Sequence, residues 1–156
     1  ANYTPIEQFQ IGKITEDAYL RWFQSKLNKQ IGIDEIRSAA LTTLAGENAD
    51  TCALIKELTK THNLACFSNT HALHWDYMLA NYRIFDEFKV CMASHLAGVA
   101  KPHAAAFEYI CRELSTTPAQ CVFVDDLPQN VKGAESFGMT GVLFSDAARL
   151  RQMLGA

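Results

Sequence analysis

The sequence predicts an α/β fold in which helices flank a parallel sheet and a small helical subdomain precedes it. Two patterns predict this fold. Residues 1–62 show helical periodicity without a convincing strand, whereas residues 63–156 alternate short apolar runs with amphipathic helices. Uninterrupted apolar runs are typical of parallel strands that are buried on both faces. With 156 residues, 49% of them apolar, the chain is long enough to bury such a core.

The helical subdomain, residues 1–62, is expected to contain three helices. The first begins after Thr15, whose hydroxyl suits the N-cap position. The second is expected to begin near Asp34 and to end at Gly46, and the third to begin near Asp50. Three aromatic residues of the first helix share one face: Tyr19, Trp22 and Phe23.

The α/β part, residues 63–156, contains the predicted strands and their connecting helices. Pro102 suits the first position of a helix, so a helix is expected to begin there. Gly138 is expected to end the next helix, and Ser145 or Asp146 to cap the last one. Four short apolar runs are the predicted strands: 64–67, 89–93, 121–124 and 141–144.

Composition and charge exclude several functional classes. The net charge of −3 gives no basic surface for nucleic acid, so no nucleic-acid partner is expected. No apolar stretch approaches the roughly 20 residues of a membrane span, so no membrane partner is expected either. The five cysteines are widely spaced and form no CxxC pair, which favours reduced thiols and a cytoplasmic location.

Polar residues follow two of the predicted strands, at the edge where parallel sheets bind ligands. Ser68 and Asn69 offer a hydroxyl, an amide and backbone donors, which suit an anion. Asp125 and Asp126 place two carboxylates together, which a cation or firm hydrogen bonds must compensate. Lys101, from a loop, neutralises phosphate charge or holds a carboxylate. Together these residues predict a pocket for phosphate and Mg²⁺.

Each of these signals also has an ordinary structural interpretation. Ser68 and Asn69 alone are compatible with a strand-to-helix cap, and Asp125 with Asp126 is compatible with a turn. An isolated Lys101 is more often a solvated charge. The histidines at positions 71 and 74 offer too few ligands for a zinc site. It is the joint occurrence of the polar groups at the strand ends that favours a binding pocket.

Three motifs resemble those of the haloacid dehalogenase (HAD) superfamily. They are Phe67-Ser68-Asn69-Thr70, then Lys101-Pro102 with Phe107, and then Val122 to Asp126 with Asn130. The group with a small helical cap is the most similar. It includes sugar-phosphate phosphatases and the phosphatase domain of soluble epoxide hydrolases. The resemblance covers nearly the whole chain, with residues 1–62 matching the cap and residues 63–156 the later core.

The resemblance implies a role for each motif residue. Ser68 and Asn69 would bind the transferring phosphoryl group, and Lys101 would stabilise the nucleophile and the phosphate charge. Asp126, together with Asp125, would form the Mg²⁺ site. That pair favours a Mg²⁺-dependent phosphatase over the metal-free dehalogenases, which lack a carboxylate pair at this place. Two residues would support the metal site from its second layer: Asp125 and Asn130.

One motif of the family is absent from these 156 residues. The family begins with an apolar strand ending in Asp-x-Asp, which supplies the nucleophile and the general acid/base. That strand lies centrally in the family's sheet, between the strands predicted at 64–67 and 121–124. Three explanations stay open: a truncated enzyme, a short relative whose two flanking strands pair directly, or a strand donated by another chain.

Two functions follow as expectations. The first is a HAD-like, Mg²⁺-dependent phosphomonoester hydrolase acting on a small phosphorylated metabolite, with its aspartate nucleophile absent from the chain shown and activity alone therefore in question. The alternative is a non-catalytic HAD-like module that binds a phosphorylated ligand or a protein partner. An unfilled slot between two apolar strands also predicts a homodimer or a strand-donating partner.

Overall fold

Short parallel strands alternate with helices along the chain, as the sequence predicts. The computed structural model describes residues 3–27 and 30–155. The helices within these ranges are α1 (Pro5–Gln10), α2 (Glu16–Gln24), α3 (Ile33–Leu41), α4 (Ala49–Leu58), α5 (Ala72–Asn81), α6 (Ser94–Ala97), α7 (Ala104–Glu113), α8 (Pro128–Phe137) and α9 (Ala147–Leu154). The strands are β1 (Ala65–Ser68), β2 (Val90–Ala93), β3 (Val122–Asp125) and β4 (Thr140–Leu143).

The strands form two separate parallel pairs. β1 pairs with β2, with Ala65 opposite Val90, and β3 pairs with β4, with Val122 opposite Thr140. Across the described residues, no ladder joins one pair to the other. The parallel arrangement confirms the predicted fold class. The possibility that the two strands flanking the slot pair directly is wrong, because β1 and β3 belong to different sheets.

Within the described residues, β1 and β3 have no strand paired on the side that faces away from β2 and β4. The Lys89 amide donates to the Leu64 carbonyl at the start of the β1–β2 ladder, at 2.9 Å. Because successive carbonyls alternate between the two sides of a strand, the Phe67 carbonyl points away from β2. By the same alternation, the Phe144 amide, which bonds the Asp125 carbonyl at 2.9 Å, leaves the Val124 carbonyl pointing away from β4. β1 and β3 therefore each have main-chain carbonyl groups on the side that faces away from their paired strand.

Local capping accounts for several helix boundaries. The Thr15 hydroxyl accepts a hydrogen bond from the Ala18 amide at 3.2 Å, and the Asp146 carboxylate accepts one from the Arg149 amide at 2.8 Å. Gly138 ends α8 with a φ of 100°, which favours glycine. The predicted caps at Thr15, Asp146 and Gly138 are thus confirmed.

Other boundaries differ from the sequence prediction. α3 begins after Gly32, so Asp34 lies in its first turn rather than at its cap, and the helix ends at Leu41, well before Gly46. α4 begins after Asn48, whose side chain accepts from the Thr51 amide at 2.9 Å. The six-residue α1 has no counterpart in the prediction. Its signal is present, however, since Thr4 and Glu7 form a capping box.

Two apolar clusters form the core around the strand pairs. One cluster joins α4 and α9 to the β3–β4 pair, and the other places α7 and α8 against both pairs. The first contains Leu54, Leu58, Val142, Ala147 and Leu150. The second contains Phe107, Ile110, Cys111, Ala134 and Met139. α4 lies before residue 62 and yet shares a core with the α/β part, and the division at residue 62 stays a prediction.

The five cysteines are free thiols, of which Cys111 is buried and the others are partly buried. Cys66 lies directly opposite Cys91 in the β1–β2 register. Burial, helped by the neighbouring Cys91, raises the pKa of the Cys66 thiol to about 12. Burial also raises the pKa of Cys111 to about 11. The cytoplasmic location stays a prediction. None of the helices within the described ranges has the length and apolarity that a bilayer crossing requires.

Candidate functional site

The Lys101 side chain lies between the ends of the two strand pairs. Its ammonium group donates to the Phe67 carbonyl of β1 at 2.6 Å and to Oδ2 of Asp125, at the end of β3, at 2.8 Å. The Lys101 side chain is 10% exposed and that of Asp125 is 6% exposed. The rings of Phe67 and Phe123 lie 5.9 and 5.5 Å from the ammonium nitrogen. One buried cation therefore links the two sheets.

The Asp125 carboxylate is held as an anion by three donors. Oδ2 accepts from Lys101, and Oδ1 accepts from the Asn130 amide and from the Leu127 main-chain amide, both at 2.9 Å. Burial by itself would raise the pKa of Asp125. The hydrogen bonds from Lys101, Asn130 and Leu127 outweigh that effect and lower the pKa below its usual value of 3.8.

Asn69 fixes the main chain of Lys101. Its amide nitrogen donates to the Lys101 carbonyl at 2.8 Å, and its amide oxygen accepts from the Lys101 main-chain N–H at 2.9 Å. This pair of hydrogen bonds holds residue 101 next to β1. The helix predicted to begin at Pro102 is α7, and it begins at Ala104 instead.

A glycine lets α8 approach the loop that carries Lys101. A Cβ atom on Gly133 would lie 2.7 Å from the Cβ of Pro102 and 2.8 Å from its carbonyl oxygen. Both distances are far shorter than a real Cβ contact, so the loop and the helix pack closely only because residue 133 has no side chain. α8 also supplies Asn130, so the same close packing positions two parts of the site.

The turn after β1 is anchored from the helical region. The Ser94 hydroxyl accepts from the Thr70 amide at 3.0 Å and donates to the Gln10 carbonyl at 2.6 Å. Thr70 and Ser94 are buried. Ser68 is half-buried, and in the part of the chain that the structure describes, its hydroxyl makes no hydrogen bond. The Ser68 hydroxyl thus remains available to a ligand at the end of β1.

Sequence reasoning missed the anchoring role of Ser94. The chain offers a weak signal for it, because Ser94 directly follows the second predicted strand. Its partners Thr70 and Gln10 lie 24 and 84 residues away. Such a contact depends on the tertiary arrangement, so spacing along the chain does not predict it.

Few side chains at this end of the sheets are free to bind Mg²⁺ directly. Asp126 is exposed at the end of β3, whereas both oxygens of Asp125 already accept hydrogen bonds. Within residues 3–27 and 30–155, no group of three acidic, histidine or cysteine side chains is placed to hold a metal. Mg²⁺ commonly binds through one or two carboxylates and keeps several waters, which is compatible with Asp126.

Of the sequence-predicted residues, five lie together and one lies at their rim. Ser68, Asn69, Lys101, Asp125 and Asn130 are joined through β1, β3 and the hydrogen bonds of Lys101 and Asp125. Asp126 follows Asp125 on the solvent side. The arrangement combines a buried ammonium, a hydroxyl and an exposed carboxylate, which together can bind a phosphate and a hard cation. The individual roles stay predictions.

The chain is similar to a family of known proteins. The family of haloacid dehalogenase-like hydrolases matches residues 7–138. A sesquiterpene phosphatase of Aspergillus oryzae is 31% identical over 160 residues, which cover 96% of this chain and 79% of that protein.

Two solved structures of a HAD family enzyme from Bacteroides thetaiotaomicron share the fold. Its magnesium complex has a TM-score of 0.88 at 20% identity, covering 99% of this chain and 81% of that one. A complex of a variant with magnesium and inorganic phosphate has a TM-score of 0.83 at 22% identity, covering 90% of this chain and 75% of that one. With a family match over most of its length and a relative this similar, the chain belongs to the haloacid dehalogenase-like hydrolases.

Proposed function

We propose that this chain forms the phosphate-binding part of a Mg²⁺-dependent phosphomonoester hydrolase. The observation that carries the proposal is the buried Lys101 ammonium, which bonds both the end of β1 and the Asp125 carboxylate. A cation that is withheld from water attracts a phosphate more strongly than a solvated lysine does. Ser68 supplies a hydroxyl donor at the same strand end.

In this proposal each site residue has a separate task. Lys101 balances the negative charge of the bound phosphate, and Ser68 donates a hydrogen bond to one of its oxygens. Asn69 holds the main chain of Lys101 and keeps one amide hydrogen for the ligand. Asp125 and Asn130 keep the ammonium in place.

Asp126 is the residue proposed to bind Mg²⁺, with Asp125 behind it. When bound, the metal would offset the charge of the phosphate oxygens. The magnesium found with the Bacteroides enzyme and the phosphatase activity named for the Aspergillus relative support this choice of cofactor and reaction. The substrate proposed on this basis is a small phosphorylated metabolite. We also propose that the chain belongs to the subgroup with a small helical cap.

The nucleophile must come from outside the residues named so far. The 156 residues contain no Asp-x-Asp sequence, and Asp125 is fully engaged by its three donors. The open edges of β1 and β3 carry main-chain acceptors that an additional strand can pair with. We propose that such a strand, from a further segment or a second chain, brings an aspartate to the Lys101 ammonium.

A binding measurement tests the phosphate site without requiring turnover. Inorganic phosphate is titrated calorimetrically into the 156-residue chain with and without Mg²⁺, beside the variants Lys101→Ala and Lys132→Ala. Lys132 is an exposed lysine of α8 and serves as the matched control. We expect phosphate binding that Mg²⁺ strengthens and that only the Lys101 substitution abolishes. Equal binding by both variants would contradict the proposed site.

A second candidate function is a non-catalytic module that binds a phosphorylated ligand or a protein partner. The absence of an Asp-x-Asp sequence from these residues favours it. Hydrolysis of a generic aryl phosphate separates the two candidates. Mg²⁺-dependent turnover that Lys101→Ala abolishes supports the enzyme. Phosphate binding without turnover, both by the folded chain alone and after addition of a segment with an apolar strand ending in Asp-x-Asp, supports the module.

A further inference from the structure

A buried serine hydroxyl connects the turn after β1 to the end of α1. Ser94, which directly follows β2, is 0% exposed. Its oxygen accepts from the Thr70 amide at 3.0 Å, and it lies 2.6 Å from the Gln10 carbonyl oxygen and 3.0 Å from the Thr70 carbonyl oxygen. This buried hydroxyl therefore makes its hydrogen bonds to two other parts of the fold.

Local structure does not account for the Ser94 side chain. α6 begins at Ser94, but its N-cap is Ala93, and among the described residues no side chain caps its first turn. A serine that served only the start of a helix would cap it. The hydroxyl instead bonds residues that are 24 and 84 positions away. The role of Ser94 therefore lies in its tertiary contacts.

Both main-chain polar groups of Thr70 are occupied. A hydroxyl has a single hydrogen, and the shorter contact of Ser94, to Gln10, takes it. The Thr70 carbonyl then accepts from Nδ1 of His95 at 3.2 Å, while the Thr70 amide donates to Ser94. Because its N–H and its C=O are both held, Thr70 gives the turn one orientation directly after Asn69.

The proposed phosphate ligands Ser68 and Asn69 are thereby fixed from two sides. On one side, the Asn69 side chain bonds the carbonyl and the N–H of Lys101, at 2.8 and 2.9 Å. On the other side, Thr70 is held by Ser94. The side that depends on Ser94 is the one that reaches α1.

The α1 segment approaches Ser94 closely because Gly12 has no side chain. Gly12 has a φ of 69°, and a Cβ atom there would overlap the His95 carbonyl oxygen and lie 3.3 Å from the His95 carbonyl carbon. The Gln10 carbonyl reaches Ser94 from the same segment. We call the following residues the junction: Gln10, Gly12, Thr70, Ser94 and His95.

We infer that Ser94 is a positioning residue of the phosphate site, which holds Ser68 and Asn69 in their binding geometry and makes that geometry depend on α1. This inference rests on the proposed function, because it takes phosphate binding at Ser68 and Lys101 as given. A site whose donors are already fixed binds more tightly than one that must be ordered on binding. Loss of the Ser94 hydroxyl should therefore weaken phosphate binding.

Calorimetric titration of the 156-residue chain with inorganic phosphate, in the presence of Mg²⁺, tests the inference. All proteins are compared at a temperature at which they are folded. Ser94→Ala should bind phosphate about three- to tenfold more weakly, the factor that corresponds to one net hydrogen bond. Ser136, whose hydroxyl bonds the Lys132 carbonyl within α8, provides the matched control. Ser136→Ala should bind phosphate as tightly as the natural chain.

Titration with Mg²⁺ alone separates positioning from a general loosening of the fold. Asp126, the proposed Mg²⁺ ligand, follows β3 and so belongs to the other strand pair. Ser94→Ala should therefore leave the Mg²⁺ affinity unchanged while it weakens phosphate binding. Loss of both affinities to the same degree would show that Ser94 only stabilises the fold, and would overturn the inference.

A second variant reaches the junction from α1. Gly12→Ala leaves Ser94 and the phosphate ligands intact but forces its segment away from His95, so it should also weaken phosphate binding. Gly46→Ala is the matched control. Gly46 has a φ of 86°, and no described atom lies within 4 Å of an added Cβ. Gly46→Ala therefore has similar backbone strain without the overlap, and it should leave the phosphate affinity unchanged.

Hydrogen exchange tests the junction in the natural chain. Coupling between two sites is reciprocal, so bound phosphate should hold α1 more firmly. The Gly12 and Lys13 amides, which bond the Phe9 and Gln8 carbonyls at 3.1 and 2.7 Å, should then exchange more slowly. The Leu44 amide, beyond the end of α3, serves as the control and should not change.

The outcomes separate this inference from the proposed function. If inorganic phosphate does not bind the natural chain, the proposed function fails and this inference falls with it. If phosphate binds the natural chain, Ser94→Ala and Gly12→Ala equally, the inference is wrong although the phosphate site stands. If neither variant folds, hydrogen exchange decides, and unchanged exchange at Gly12 and Lys13 on phosphate binding overturns the inference.

Discussion

Of the ion pairs that join elements distant in sequence, one lies in the helical half of the molecule and one in the α/β half, while a third, between Arg151 and Glu57, joins α9 to α4. In the helical half, Arg37 of α3 bonds Glu16 of α2 at 2.6 Å and also contacts Asp34, and its side chain is 38% exposed. In the α/β half, Lys101 bonds Asp125 with a side-chain exposure of 10%. Both pairs connect neighbours in space, but only the second is withheld from water.

The difference shows which charges identify a site. An exposed pair gains little, since water competes for both partners and salt screens them. A buried pair is retained only with further hydrogen bonds, and Asp125 has two besides that from Lys101. The concentration of polar contacts on one buried pair therefore favours the strand ends as the candidate site, whereas the exposed pair joins only the neighbouring helices α2 and α3.

The largest expected effect comes from removing the buried cation. Lys101→Met leaves the Asp125 carboxylate buried without its partner, and we expect the free energy of unfolding to fall by about 3–5 kcal/mol. Urea unfolding measures it. The matched control is Arg37→Met, for which we expect little change in the midpoint. Similar shifts in the two variants would contradict the contrast between the pairs.

A second effect tests the close packing that positions the site. Alanine normally stabilises a helix interior relative to glycine by about 1 kcal/mol. At position 133 we expect the opposite sign, with Gly133→Ala destabilising by about 1–3 kcal/mol, because its Cβ would overlap Pro102. Thermal unfolding gives the sign directly. A more stable variant would show that the loop carrying Lys101 yields easily.

Acid should weaken the buried pair. The folded-state pKa of Asp125 lies below its usual 3.8, so the pairing stabilises the fold above that pH, and its contribution is lost as the pH falls through the folded pKa. The difference in the free energy of unfolding between the natural chain and Asp125→Asn should therefore decrease as the pH falls below about 3.8. A difference that does not change with pH would contradict a stabilising role for the Asp125 carboxylate.

The protonation of His71 also changes the stability with pH, but it does so equally in the natural chain and in Asp125→Asn, so it does not affect their difference. Its pKa is lowered from 6.5 to about 4, so the neutral ring stabilises the fold above pH 6.5, and that contribution declines as the pH falls toward 4. The loss of stability between these values should be shared by the natural chain and Asp125→Asn. It should be absent from His71→Phe.

The smallest effect on stability is expected at the rim of the site. Asp126 is exposed, so Asp126→Asn should leave the unfolding midpoint unchanged. It should nevertheless weaken Mg²⁺ binding, because a neutral amide replaces a hard anionic ligand. Calorimetric titration with Mg²⁺ measures this, with Asp50→Asn on α4 as the control. Equal Mg²⁺ affinities in the natural chain and Asp126→Asn would refute the metal assignment.

Local chemistry made much of the fold predictable from the sequence. Thr15 and Asp146 cap their helices through hydrogen bonds to residues three positions further along the chain. Gly138 ends α8 because the positive φ at this position favours glycine. The four apolar runs became strands shifted by about one residue. α1 was missed because its six residues are too few for periodicity to reveal.

The candidate site was predictable as a set of residues and not as a network. Parallel strand ends meet at one edge, so Ser68, Asn69 and Asp125 were expected near one another. The two hydrogen bonds between Asn69 and the Lys101 main chain join residues that are 32 positions apart, so the sequence does not predict them. The division into two strand pairs likewise reflects long-range pairing, which local patterns do not report.

Two of the cysteines, Cys66 and Cys111, give the molecule a built-in chemical reporter. Thiol reagents attack the thiolate, and the raised pKa of Cys66 and of Cys111 keeps both thiols protonated in the folded chain at neutral pH. Cys66 belongs to β1 and Cys111 to α7, so each becomes reactive only when its own part of the core opens. The labelling rates of Cys66 and Cys111 therefore measure how often the strands separate from their covering helices, without an engineered label.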